Sequence, residues 1–239
     1  MERIYNVATG IFSGLNEKQG IMLCGYEWGG GDEDVASEEV HADPSKVANL
    51  GVVFSNKGLF YGNAAETWPY DKKIREWFRI WGHELRRDAL GGDFEKCLLQ
   101  TNWCNTQAPN MKGVDYRTKL LAPAQVANFI DHVKRFEPRV LMFFGSLMGR
   151  LLNTASVAPQ FKEIVGPEVK ALRYEKLPFD GRRFNVGFQT FERCHVVSLP
   201  HPTGSHGLST NYIDLFTPKI GEVISDFKRF KGIMQASGC

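Results

Sequence analysis

The sequence predicts an α/β fold: a three-layer α/β/α single domain, residues 1–239, around a central, mostly parallel four-stranded sheet. Short apolar runs that end near glycine or proline alternate along the chain with segments of helical periodicity. Strands separated by helices return through right-handed crossovers, which makes neighbouring strands parallel. No internal repeat or low-complexity linker divides the 239 residues, and one domain of this length can bury a large core.

Four apolar runs are the candidate strands. The first ends in glycine, the third is followed by glycine and the fourth by proline, residues that commonly end regular structure. In chain order the runs are Ile21–Gly25, Cys97–Trp103, Val140–Phe144 and His195–Leu199.

Three amphipathic segments are the clearest helices. Asp71 is expected to cap a helix whose apolar residues recur at helical spacing as far as Leu85. Pro123 suits the first turn of the next helix, which Pro138 ends. The last helix is expected to begin at Thr217, directly before a proline.

The composition is that of a soluble globular protein, with 43% apolar and 23% charged residues. No apolar run approaches the ~20 residues that a membrane helix needs, and the first residues lack the pattern of a secretion signal. The five cysteines are scattered, which predicts reduced thiols in a cytoplasmic protein and no metal site. The net charge of +2 leaves a nucleic-acid partner open if a local basic face supplies the contacts.

Polar residues stand where the predicted strands end. Glu27 follows the first strand, Asn102 lies on the second, Ser146 follows the third and His201 follows the fourth. Ligands of parallel sheets bind outside the carboxyl ends of the strands. The sequence therefore predicts that an acid, an amide, a small-residue turn and a histidine converge on one crevice.

Four segments, in this order, resemble the motifs of the uracil-DNA glycosylase superfamily. In that superfamily a strand ends in glycine, and a polar or acidic residue two places on positions the attacking water. The resemblance spans Ile21 to Ser209 and implies the superfamily's fold and a monomeric enzyme that needs no cofactor. The segments are GYEWG from Gly25, LLQTNWCNTQAPN from Leu98, PRVLMFFGSLMGRLL from Pro138 and VVSLPHPTGSHGLS from Val196.

The resemblance implies a role for each strand end. Glu27 would hold the water that attacks C1′, and His201 would donate to the departing base. Asn102 corresponds to the asparagine that reads the base, and Phe54 to an aromatic residue that stacks on it. The strand–glycine–helix turn and the closing loop would contact DNA, with Leu208 filling the gap left by the flipped nucleotide. The other DNA-binding residues implied are Ser146, Thr203 and Ser205.

The chemistry of N-glycosidic hydrolysis needs these residue types. A carboxylate stabilises positive charge at C1′ and orients water, and a histidine stabilises negative charge on the leaving base. An asparagine carries a donor and an acceptor for the polar edge of a pyrimidine. An aromatic platform holds a base that has left the stack of single- or double-stranded DNA.

The departures from the superfamily bear on the substrate. Gly29 replaces a tyrosine that crowds C5 of the base in the uracil-specific branch, and Trp28 replaces a proline. A partly acidic insertion, Asp32 to Lys46, replaces a short loop. The open C5 side and the insertion favour a bulky 5-modified cytosine, such as the glucosylated hydroxymethylcytosine of phage DNA. The chain is similar to an anti-phage branch that excises such bases and leaves an abasic site.

Two other functions remain open. One is uracil excision in base-excision repair, for which Tyr26 or Trp28 would have to fill the C5 side of the pocket. The other is a non-catalytic module of the same fold that binds DNA or a protein. A module that only binds has no need of an acid, an amide and a histidine in combination, which favours the enzyme.

Overall fold

The computed structural model describes residues 10–29, 68–86, 91–108 and 113–233. The strands in these ranges are β1 (Ile21–Gly25), β2 (Trp28–Gly29), β3 (Leu98–Asn102), β4 (Gln107–Ala108), β5 (Val140–Phe144), β6 (Glu168–Glu175), β7 (Val186–Phe191) and β8 (His195–Leu199). The helices are α1 (Pro69–Ile80), α2 (Asp93–Lys96), α3 (Tyr116–Leu121), α4 (Pro123–Phe136), α5 (Ser146–Leu151), α6 (Ala158–Val165), α7 (Thr210–Asp214) and α8 (Thr217–Lys231).

Six of these strands form one sheet in the order β3-β1-β5-β8-β7-β6, and β2 and β4 form a short second sheet. Neighbours among β3, β1, β5 and β8 are parallel, whereas β7 is antiparallel to both β8 and β6. The predicted α/β class is therefore confirmed, but the predicted number of four strands is wrong. The four predicted runs form the parallel part of the sheet, and β7 and β6 extend it at one edge.

The sequence of β6 explains why this edge was missed. Most residues of β6 are exposed, and charged side chains such as Lys170 and Arg173 interrupt its apolar residues. A buried parallel strand is almost continuously apolar, whereas an edge strand is free to carry charges. Continuous apolar runs therefore mark the parallel strands, which are buried on both faces, and do not mark β6.

Helices cover both faces of the sheet. Successive residues of a strand point to opposite faces, and accordingly Ile21 and Leu23 of β1 lie in one apolar cluster while Met22 and Cys24 lie in another. Helices α1, α7 and α8 complete the first cluster, and α4, α5 and α6 complete the second. The sheet is thus the middle of three layers, as predicted.

Helix α1 begins earlier than predicted. Pro69 occupies its first turn, and Asp71, expected to be the cap, lies inside the helix and is 2% exposed. The side-chain amide of Gln100 in β3 donates a hydrogen bond to this carboxylate at 3.3 Å. Asp71 therefore ties α1 to the sheet, and the earlier start brings Tyr70 to the carboxyl ends of the strands.

Candidate active site

Glu27 lies directly after β1, and its carboxylate is almost completely enclosed. The side chain is 4% exposed. Oε2 accepts a hydrogen bond from Thr106 Oγ1 at 2.7 Å and forms an ion pair with Lys119. Oε1 accepts a hydrogen bond from the hydroxyl of Tyr116. Donors from the segment after β3 and from α3 thus hold the carboxylate in one orientation.

These donors keep Glu27 ionised. Burial by itself raises the pKa of the carboxyl group, but the hydrogen bonds from Lys119, Tyr116 and Thr106 and the charge of Lys119 outweigh it, so the pKa is lowered. Burial and the bond to Glu27 raise the pKa of Tyr116, which therefore remains a donor. A carboxylate of low pKa is a weak proton acceptor at neutral pH, so its charge is the property that it contributes.

A row of aromatic rings connects Glu27 to His201. The ring centroid of Tyr26 lies 4.9 Å from that of Tyr116 and 6.1 Å from that of His201, on which it stacks. Tyr70 contacts the same imidazole with a centroid distance of 5.5 Å. The acid after β1 and the histidine after β8 therefore belong to one site, as the strand-end rule predicted.

Tyr26 depends on the glycine that follows β5. A Cβ atom on Gly145 would lie 2.6 Å from the Tyr26 hydroxyl oxygen and closer still to its ring. Burial raises the pKa of Tyr26 to about 12, so the hydroxyl stays protonated at neutral pH. The absence of a side chain at Gly145 thus lets Tyr26 support the rings of Tyr116 and His201.

The hydrogen bonds of His201 assign its tautomer. Nδ1 accepts backbone N–H groups from Gly204 at 2.7 Å and from Thr203 at 3.3 Å. A ring nitrogen that accepts carries no proton, so the N–H of the neutral ring is at Nε2. An imidazole in this tautomer carries one N–H donor, the kind of group that stabilises a developing oxyanion.

Asn102 ends β3 directly beside Gly25 of β1. Its side chain is buried, and Oδ1 lies so close to Gly25 that a Cβ atom there would clash with it. Within the described ranges, the side-chain amide of Asn102 makes no hydrogen bond to the protein. It therefore keeps both a donor and an acceptor for a ligand.

The backbone around Asn102 is held from α4. Asn128 donates a hydrogen bond at 2.8 Å to the carbonyl of Trp103. Nδ1 of His132 lies 2.8 Å from Thr101 Oγ1, and the His132 ring also hydrogen-bonds the Asn102 backbone. Burial lowers the pKa of His132 to about 4, so this support does not change with pH near neutrality.

The segments after β1 and β3 stay paired beyond the main sheet. The N–H of Trp103 donates to Gly25 at 2.9 Å, and that of Trp28 donates to Thr106 at 3.2 Å. Strands β2 and β4 then pair in parallel. Glu27 is consequently fixed between backbone hydrogen bonds on both sides.

The residues predicted to surround the base have different environments. Trp28 is 7% exposed, whereas Gly29 is exposed, and no described atom lies within 4 Å of a Cβ built on it. Tyr26 is buried, with 8% of its surface exposed. Phe54 and the insertion Asp32 to Lys46 lie outside the described residues, so their predicted roles stay predictions.

The residues predicted to bind DNA lie at the same edge of the sheet. Ser146 is the first residue of α5, and its carbonyl accepts a hydrogen bond from Tyr174 at 2.8 Å. Thr203 is exposed and Ser205 is partly buried on the loop after His201. Leu208 is partly buried and packs on the cluster that α1, α7 and α8 complete, so inserting it into DNA would require it to leave this contact.

Sequence reasoning missed Tyr70, Tyr116, Thr106 and Lys119 as parts of the site. Tyr116 and Lys119 are three residues apart and so lie on one face of α3. That spacing was the only available signal, and it does not reveal that Glu27, some 90 residues earlier, is what the face contacts.

No protein-family model and no curated protein matches this chain. Among the described residues, no group of three or more His, Cys, Asp and Glu side chains is arranged to hold a metal ion. No helix in the same ranges is long and apolar enough to cross a membrane.

Proposed function

We propose that this protein is a monofunctional DNA glycosylase that excises a flipped pyrimidine base and belongs to the uracil-DNA glycosylase superfamily. The observation that carries the proposal is the convergence of Glu27, Asn102 and His201. They come from three different strand ends and meet at one edge of the sheet through a connected set of contacts. An ionised acid, an amide and an N–H donor are the three groups that base excision requires.

Each group acts on a different part of the reaction. Water oxygen bonds to C1′ as the bond from C1′ to the base nitrogen breaks, and the electron pair of that bond leaves with the base. The charge of Glu27 stabilises the positive charge that develops at C1′. The Nε2–H of His201 donates to the carbonyl oxygen on which the negative charge collects, and the proton released by water ends on the base or in solvent.

The enclosure of Glu27 favours charge stabilisation over proton abstraction. Oε2 already accepts from Thr106 and Lys119, whereas Oε1 accepts, among the described residues, only from Tyr116 and so keeps one acceptor position with respect to them. A single water bound there would be oriented by the carboxylate without being strongly deprotonated. Glu27 thus orients the nucleophile and stabilises the sugar cation.

Gly29 supports a base larger than uracil as the substrate. The position is exposed, and a side chain there would enter open space among the described residues. A pocket without a wall at C5 accepts a 5-substituent. We therefore propose glucosylated or otherwise enlarged 5-hydroxymethylcytosine in phage DNA as the substrate, with uracil as the competing candidate.

Three oligonucleotides test these functions together. We expect alkali-labile abasic sites in DNA containing glucosylated hydroxymethylcytosine and none in unmodified DNA. Cleavage of the uracil oligonucleotide alone would support repair instead. Binding without any abasic sites in the three oligonucleotides would support the non-catalytic module.

Gly29→Tyr tests the modified-base substrate. A phenol ring at this position would occupy the proposed C5 space, and steric overlap of this kind costs ~1–3 kcal/mol. We expect excision of the bulky base to slow at least ~10-fold, and uracil excision, where measurable, to slow much less. The ratio of the two rates on matched oligonucleotides is the readout, because a loss of folding lowers both equally. An unchanged ratio would show that Gly29 does not lie next to C5 of the bound base.

A further inference from the structure

The connection between β6 and β7 projects from the same edge of the sheet as His201. Strand β7 is antiparallel to β8, and Gly187 near its start pairs with Ser198 near the end of β8. Residues 176–185, which precede β7, must therefore lie at the carboxyl end of β8. They form a second element beside the loop that carries His201.

The tip of this connection is a tight hairpin turn. Phe179 and Arg182 exchange backbone hydrogen bonds of 2.9 and 3.3 Å across Asp180 and Gly181. Both intervening residues have positive φ, 50° and 71°, as a two-residue Asp-Gly hairpin turn requires. The turn therefore has one defined geometry. Asp180 fits it because aspartate tolerates the positive φ that this turn requires.

The base of the hairpin is anchored to α7, the helix that follows the His201 loop. The hydroxyl of Tyr212 accepts from the N–H of Phe184 at 2.9 Å and donates to its carbonyl at 2.7 Å. The rings of Phe179 and Phe184 pack edge-on against Tyr212. These contacts hold the hairpin tip in a fixed place relative to the loop.

The outer surface of the hairpin is basic. Residues 176–185 carry three cations and one acid, Asp180. Lys176, Arg182 and Arg183 are exposed and form no ion pair with any described acid. The guanidinium group of Arg182 lies against Gly207, one residue before Leu208.

We propose that Arg182 and Arg183 bind backbone phosphates of the DNA next to the flipped nucleotide. This inference rests on the proposed function for its partner, because a DNA backbone that reaches His201 must pass the loop that Arg182 touches. Unpaired guanidinium groups suit phosphate oxygens, to which they donate bidentate hydrogen bonds. The contacts would position the strand without reading its sequence.

The salt dependence of DNA binding tests the proposal. Each phosphate contact contributes about 1 to the slope of log K against log salt. The double variant Arg182→Gln and Arg183→Gln should therefore reduce the slope by about 2, measured by fluorescence anisotropy with an unmodified duplex. Between 50 and 200 mM salt the wild type should then lose roughly 10-fold more affinity than the double variant.

Arg193→Gln is the matched control. Arg193 is also exposed, but it lies in the turn before β8, at the opposite end of that strand from His201. Its variant should keep the wild-type slope. Loss of the contact between Arg182 and Gly207 could impair folding of the double variant, which a thermal melt would show. In that case Arg183→Gln alone tests the proposal, and it should lower the slope by about 1.

Binding and excision separate this proposal from the proposed function. If the wild type excises bases and the double variant has the wild-type slope, the hairpin does not bind phosphates and the proposed glycosylase activity is still supported. A reduced slope in a protein that excises nothing supports the hairpin and overturns the glycosylase. A wild type that does not bind DNA overturns both.

Discussion

Opposing effects set the ionisation of Glu27. Burial favours the neutral acid, and the hydrogen bonds and charge supplied by α3 and Thr106 favour the carboxylate and prevail. A carboxyl group whose folded pKa is depressed stabilises the fold above its unfolded pKa, and that contribution is lost as pH falls through the folded value. Lys119 therefore affects both stability and the acid limb of any activity that needs the charge.

Lys119→Met should move the acid limb of activity to higher pH. Without the cation, burial is less opposed and the pKa of Glu27 rises, so the carboxylate becomes protonated at a pH where the wild type is still ionised. We expect kcat/KM, measured between about pH 5 and 8, to fall most at the acid end. Lys119→Arg keeps the charge and should retain the pH dependence of the wild type. If Lys119→Met instead lowers kcat/KM equally at every pH, the role of Lys119 is purely structural.

His201→Ala should affect poor leaving groups most. In the proposed reaction the Nε2–H of His201 stabilises charge on the departing base, and loss of one such donor costs about 10²–10³ in rate. A substrate whose base leaves readily has less need of the donor and should be partly rescued. His206→Ala, which alters an exposed histidine on the same loop, is the control. Equal losses across a leaving-group series would limit His201 to holding the turn at Thr203 and Gly204.

At the scale of elements, the site is built from strand ends that approach each other closely. Gly25 leaves room for the Asn102 side chain, and Gly145 leaves room for Tyr26. Neither glycine adopts the left-handed backbone conformation, and the φ of 165° at Gly145 is extended backbone that other residues also adopt. The requirement at both positions is therefore for space rather than for an unusual backbone conformation. The absence of a methyl group at each strand end allows the amide and the aromatic rings to meet.

Gly145→Ala should destabilise the fold by about 1–3 kcal/mol, the usual cost of overpacking. The added methyl would overlap the Tyr26 ring, which must then move away from Tyr116 and His201. Urea denaturation measures the free energy of unfolding. Gly29→Ala is the matched control for stability because it adds the same methyl where the described residues leave open space. Equal effects of the two substitutions would contradict the close packing at Gly145.

At the scale of the whole molecule, the sequence predicted the layers and the parallel strands because buried strands carry continuous apolar runs. It also predicted that Glu27, Asn102 and His201 would meet, because parallel strands end at one edge. The row of tyrosines was not predictable, since Tyr70 and Tyr116 lie on helices whose facing residues are distant in sequence. The hairpin before β7 was missed for a different reason: its strand β6 is an exposed, charged edge that lacks the apolar pattern.

The charge of Glu27 is the feature on which the proposed reaction most depends. Single-turnover excision by wild type and Glu27→Gln, on one oligonucleotide with the modified base, measures its contribution directly. The amide keeps the shape of the side chain and removes the charge. Glu163→Gln, on an exposed face of α6, controls for the loss of a carboxylate elsewhere. We expect Glu27→Gln to slow base release at least ~100-fold, with DNA affinity retained; equal rates in the two proteins would contradict the site proposed for this protein.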